Sequence, residues 1–90
     1  MKIQKELSEK LELLVAELTA SKNSTTAYYE KVLEKLNQTS DLHVLKSIAL
    51  GILSSSKIKD LGGYSNKEIL LWDSMWKTAE KLSNNLDRNI

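Results

Sequence analysis

The stretch YSNKEILLWDSMWKTAEKLSNNLDRNI, residues 64–90, decides the fold. Ser65-Asn66-Lys67-Glu68 is a capping box: the Ser65 hydroxyl accepts from the Glu68 N–H, and the Glu68 carboxylate reaches back to the Ser65 N–H. Tyr64 before the cap and Ile69 after it have the spacing of a hydrophobic staple. Trp72, Met75, Ala79, Leu82 and Leu86 then recur at steps of 3, 4, 3 and 4, with Trp76 one turn after Trp72. That period is one apolar stripe on a long amphipathic helix. A helix from Asn66 to Asn89 is about 36 Å long at 1.5 Å per residue. It can span a small bundle, and it carries both tryptophans of the chain.

Working outward, the whole chain favours helices. Its 90 residues make one domain. It holds no proline and no cysteine. Proline costs about 3 kcal/mol inside a helix, so its absence favours long uninterrupted ones. Without cysteine there is no disulfide, thiolate metal site or thiol nucleophile. Thirteen basic and 12 acidic residues give a net charge of +1. The two signs alternate along every segment, whereas a nucleic-acid binder shows a basic stripe, so no nucleic-acid partner is expected. No window approaches 18 apolar residues, so no membrane span is expected. Met1-Lys2-Ile3-Gln4-Lys5 opens directly on a charged amphipathic pattern, and a cytoplasmic location is expected.

Ile3, Leu7, Leu11, Leu14 and Leu18 place a first helix over 3–20. The polar run Ser21–Thr26 breaks it. A second helix over 26–37 has Tyr28 or Tyr29, Val32, Leu33 and Leu36 on its apolar face. The third, over 41–53, is the most apolar, with Thr39 or Ser40 as its N-cap and Asp41 at its positive end. Its apolar residues cover more than half the circumference, which predicts the central, most buried helix. Gly51 inside it predicts a close helix crossing. Beyond Ser54-Ser55-Ser56 two readings stay open. Either the helix runs on to Leu61 and ends in a left-handed cap at Gly62, or the serines break it. The expected class is all-α, an antiparallel four-helix bundle with a long C-terminal helix; three helices is the alternative.

Chemistry is sparse. His43-Val44-Leu45-Lys46 resembles the H-x-L-K start of histidine phosphotransfer domains, but Ser47 and bulky Ile48 follow where that family keeps a very small residue; the competing reading is a surface histidine in a first helical turn. No Glu-x-x-His pattern supplies a di-metal site, and Gly62-Gly63 is followed by no Gly-Lys-Ser/Thr. Neither an enzyme nor a cofactor nor a metal is expected. What remains is apolar surplus. Leu70, Leu71 and Trp72 are consecutive, and neighbours on a helix lie about 100° apart, so one stripe cannot hold all three. They widen the core or face a partner. With Lys57, Lys59 and Lys77 they form the candidate partner-binding set, in a monomer rather than a homodimer.

The third helix Val44-Leu45-Lys46-Ser47-Ile48-Ala49-Leu50-Gly51-Ile52-Leu53-Ser54-Ser55, its basic polar turn and the capped aromatic last helix resemble the class IIa bacteriocin immunity proteins. That resemblance implies a cytosolic four-helix bundle that protects a bacteriocin producer by recognising a bacteriocin-bound membrane receptor, a sugar phosphotransferase permease. Glu17-Leu18-Thr19-Ala20-Ser21 and Tyr64-Ser65 are similar to segments of the epsilon antitoxins. That would make residues 3–20 a toxin-blocking surface. A homodimeric regulatory or structural module is the third expectation.

Overall fold

Five helices and no strand make up residues 1–89, which the computed structural model describes: α1 (Lys2–Ala20), α2 (Thr26–Gln38), α3 (Leu42–Leu53), α4 (Ser56–Gly62) and α5 (Asn66–Asn89). Ile90, the last residue of the opening stretch, lies outside them. Four expected helices are therefore five. The serines do break the third: Ser54 ends α3, and Ser55 precedes a separate seven-residue α4.

The capping box forms as read. The Ser65 N–H donates to Glu68 Oε1 at 2.8 Å, and the Glu68 N–H donates to Ser65 Oγ at 3.2 Å. Glu68 Oε2 also accepts from the Ser21 hydroxyl at 2.6 Å. These bonds, the Ser21 one foremost, hold its carboxyl below the ordinary glutamate range. At α3 the cap is Asp41 itself, one residue later than expected. Its Oδ1 accepts from the N–H groups of His43 and Val44 at 2.8 and 3.2 Å. A short carboxylate offers two lone pairs to the first-turn donors, so it takes the cap over the hydroxyl residues before it.

Two stripes interlock as the frame. Leu7, Leu11, Leu14 and Leu18 of α1 and Met75, Ala79, Leu82 and Leu86 of α5 are all 0% exposed. Glu6 pairs with Lys81 and Glu17 with Lys67, so α1 and α5 run in opposite directions. Lys46 of α3 reaches Asp87 and donates to Ser83 Oγ at 2.8 Å, while the Trp76 N–H donates to Leu53 O at 3.2 Å. The order of those pairs shows that α3 also runs opposite to α5. α5 is the element on which α1 and α3 both pack most, and the longest dimension of the molecule, 37 Å, is that of α5.

The glycines are placed differently from expectation. The left-handed cap is Gly63, φ +60°. The close approach is at Gly62, where an added Cβ would meet the Tyr64 ring at 2.5 Å. Gly51 is exposed, and an added Cβ there would meet nothing within 4 Å. No helix crosses at that point.

Candidate protein-binding surfaces

The expected partner set divides in the structure. Trp72 is 4% exposed and belongs to the core, not to the partner face expected for it. Its indole N–H donates to the Tyr29 hydroxyl at 2.8 Å; that hydroxyl donates to Ser55 Oγ at 3.0 Å, and Ser55 donates to Ile52 O at 2.7 Å. This buried chain ties α5, α2 and the α3–α4 junction together. Burial raises the Tyr29 hydroxyl above its ordinary value, opposed by its bonds with Ser55 and Trp72. Leu71 is half-buried against the same core, and Leu70 is 70% exposed. Lys59 lies with its ammonium 4.3 Å from the Trp72 ring centroid, a cation–π contact over the indole. Lys57 and Lys77 are exposed. The homodimer expectation thus loses its tryptophan, and Leu70 stands alone as the large exposed apolar residue of α5.

The segment between Ser54 and Gly63, which carries Lys57 and Lys59 of the expected partner set, is helical over Ser56–Gly62 and held at three points. Ser55 is held by Tyr29, Lys59 by Trp72, and Gly62 O by the Asn23 amide at 2.8 Å. Asn23 Oδ1 accepts from the Thr25 N–H at 2.9 Å, and the Thr25 hydroxyl meets the Tyr64 hydroxyl at 2.6 Å. Burial pushes Tyr64 up to about 12. Ser21, Asn23 and Thr25 of one turn thereby clasp Gly62, Tyr64 and Glu68 of the other. Leu61, at 85% exposed, points away from this clasp.

The surface that the sequence reading missed lies between α2 and α3. These two helices hardly touch, although only three residues connect them. They leave a groove of approximately 540 Å³. Tyr28, Lys31, Val32 and Lys35 line it from α2; His43, Val44, Ser47, Ile48, Gly51 and Ile52 line it from α3. The cause is legible in the periodicity. Leu45, Ala49 and Ile52 form the α3 stripe that packs into the core, and Val44, Ile48 and Gly51 form a second stripe beside it. The greasiest helix is not the most buried one: Leu42, Val44 and Leu50 are 37%, 43% and 48% exposed. His43, in the first turn of α3, is an exposed surface histidine on the groove rim.

A smaller cleft, approximately 260 Å³, is lined by Met1, Gln4, Lys5, Ser8 and Asn37. Its polar groups serve packing. The Gln4 amide donates to the carbonyls of Leu36 and Thr39 at the end of α2, and Ser8 donates to Asn37. Among the described residues there is no cluster of His, Asp and Glu able to hold a metal ion, and no helix long and apolar enough to cross a membrane. Comparison with known protein families, with curated proteins and with solved structures finds no match.

Proposed function

We propose that this chain is a small protein-binding antagonist of the bacteriocin-immunity kind. In this reading it is a monomeric cytoplasmic protein, an antiparallel four-helix bundle with α4 inserted before the last helix. It needs no cofactor, and it protects its host by engaging a bacteriocin-bound receptor. The observation that carries the reading is the open α2–α3 groove, in which Val44 of the second α3 stripe is 43% exposed and Ile48 half-buried while the first stripe is buried. Exposed apolar residues scattered singly are normal, but a contiguous apolar groove rimmed by polar groups marks an interaction site. Lys57, Leu70 and Lys77 are the exposed members of the expected partner set and offer a second contact area on α4 and α5.

The test is protection. A sensitive Gram-positive strain expressing the chain is challenged with a panel of class IIa bacteriocins. The expected result is a large rise in survival against at least one peptide. No protection against any peptide, in cells shown to contain the folded protein, overturns the reading. Truncating the end of α5 is a poor substitute, since Leu82 and Leu86 are core residues. A second reading, an epsilon-type antitoxin, has one observation in its favour: Leu13 is 56% exposed on the outer face of α1. Rescue of growth against a co-expressed kinase-like toxin, lost in Leu13→Glu, would establish it.

A further inference from the structure

We propose that the α2–α3 groove is the docking site for an amphipathic α-helix of a partner protein whose polar edge is acidic. The inference rests on the protein-binding reading above and names the partner's chemistry. The first ground is shape. From Tyr28 to Lys35 the α2 wall is about 10 Å long, and from His43 to Ile52 the α3 wall is about 14 Å, at 1.5 Å per residue. That is two to three helical turns. Seven of the ten lining residues are exposed, so the feature is an open slot. A small ligand in such a slot would stay largely wet, whereas ligand sites bury 70–90% of their ligand. A third helix laid between two others makes ridge-into-groove contact with both.

The second ground is Gly51. A glycine inside a helix is unfavourable, and no internal contact requires it, because an added Cβ meets nothing within 4 Å. Its missing side chain lowers the α3 wall so that another backbone can come close. The third ground is charge. Lys31 and Lys35 bring positive charge to the slot, and no carboxylate lines it. The lysines in salt bridges among the described residues are Lys46, Lys67 and Lys81, which leaves Lys31 and Lys35 unpaired. They stand one turn apart on α2, the spacing that meets two carboxylates one turn apart on a facing helix.

Other occupants fit less well. A second copy would have to offer an acidic helix face with its own apolar stripe. The free face of α1 carries Glu9 and Glu12 but Leu13 as its one large exposed apolar residue. A lipid surface requires a broad protruding apolar face; Tyr28 and Val44 of the lining are exposed, but Val32, Ile48 and Ile52 lie half-buried or buried between the two walls.

The test uses three synthetic helical peptides of about 18 residues, long enough to hold a helix when bound. They share one apolar face and carry Glu, Gln or Lys along the polar edge. Each is titrated into the full isotope-labelled chain, and amide NMR shifts are followed. The Glu peptide is expected to bind at least tenfold tighter than the Gln peptide, with the Lys peptide weakest and shifts confined to residues 28–35 and 43–52. Lys31→Glu with Lys35→Glu should reverse that order. Gly51→Leu should weaken all three peptides at least tenfold with the circular dichroism unchanged. Equal affinity for the three, shifts centred on α4 and α5, Lys31-dependent adsorption to phosphatidylglycerol vesicles without peptide binding, or a dimer dissociated by Val44→Glu each overturns the proposal. The two readings fail separately. Bacteriocin protection that survives both groove variants removes the groove proposal and spares immunity; groove binding of the Glu peptide without any protection does the reverse.

Discussion

The pair α1–α5 and the pair α2–α3 are both neighbouring helices in one small molecule, and they use apolar residues in opposite ways. α1 and α5 are mostly polar helices with one narrow stripe each, and the central leucines of those stripes are 0% exposed. α3 is far richer in apolar residues, yet three of them are more than a third exposed. A stripe is buried in proportion to the partner surface it can reach, not to its own greasiness. α3 has α5 on one side and only a loose contact with α2 on the other. Leu42, Val44 and Leu50 are therefore surplus to folding, and Val44 is the one of them that lines the groove.

The contrast can be broken most sharply with alanine. Leu14→Ala or Leu82→Ala in the frame should cost about 2–5 kcal/mol in urea denaturation, because each leaves a cavity between fully buried stripes. Leu50→Ala on α3 should change stability by less than about 0.5 kcal/mol. Equal losses in the two regions would erase the distinction. Next in size is Tyr29→Phe. It strands the Trp72 N–H and removes the partner of Ser55, at about 1–3 kcal/mol for a buried group left without its hydrogen bond. Full stability in that variant would mean the chain from Trp72 to Ser55 holds nothing together.

Glu68→Gln should cost about 1 kcal/mol at neutral pH, the scale of a helix cap. The carboxyl is lowered in the folded state. Its contribution is therefore complete above the unfolded value near pH ~4.3 and is lost as pH falls through the lower folded value. The wild type should lose more stability than Glu68→Gln across that acid range. Tyr64 works at the other end: its stabilisation is complete below an unfolded value near pH ~10 and is lost as pH rises towards the folded value of about 12. Tyr64→Phe should flatten the alkaline loss. The smallest effects separate two glycines. Gly63→Ala, at φ +60°, should destabilise by about 1 kcal/mol. Gly51→Ala should stabilise by up to about 1 kcal/mol, since the helix gains and nothing is struck. A destabilised Gly51→Ala would mean that the fold, and not the groove, requires that glycine.

The frame was readable from the chain because it depends on period alone. Leu7-Leu11-Leu14-Leu18 and Trp72-Met75-Ala79-Leu82-Leu86 each describe one face, and both faces are buried. The capping box was equally legible, since its two bonds are local. What the sequence did not show was pairing between distant elements. Nothing near Trp72 announces that its N–H will find Tyr29, 43 residues away. Nothing near Gly62 announces the Tyr64 ring folded onto it or the Asn23 amide on its carbonyl. The groove had a visible trace, the second stripe 44, 48 and 51 beside 45, 49 and 52, but excess apolar content reads equally as deeper burial. Only the number of neighbouring helices decides between those outcomes.

The most direct measurement of the central claim compares protection by the wild type with protection by the Lys31→Glu, Lys35→Glu double variant. Both lysines are exposed on α2, so the variant should keep its circular dichroism, with the unfolding midpoint lowered slightly because Lys35 is the basic residue of the last turn of that helix. The account predicts survival of challenged cells with the wild type and loss of that survival with the folded double variant. Equal survival with both would contradict it and move the working surface of this chain away from the groove.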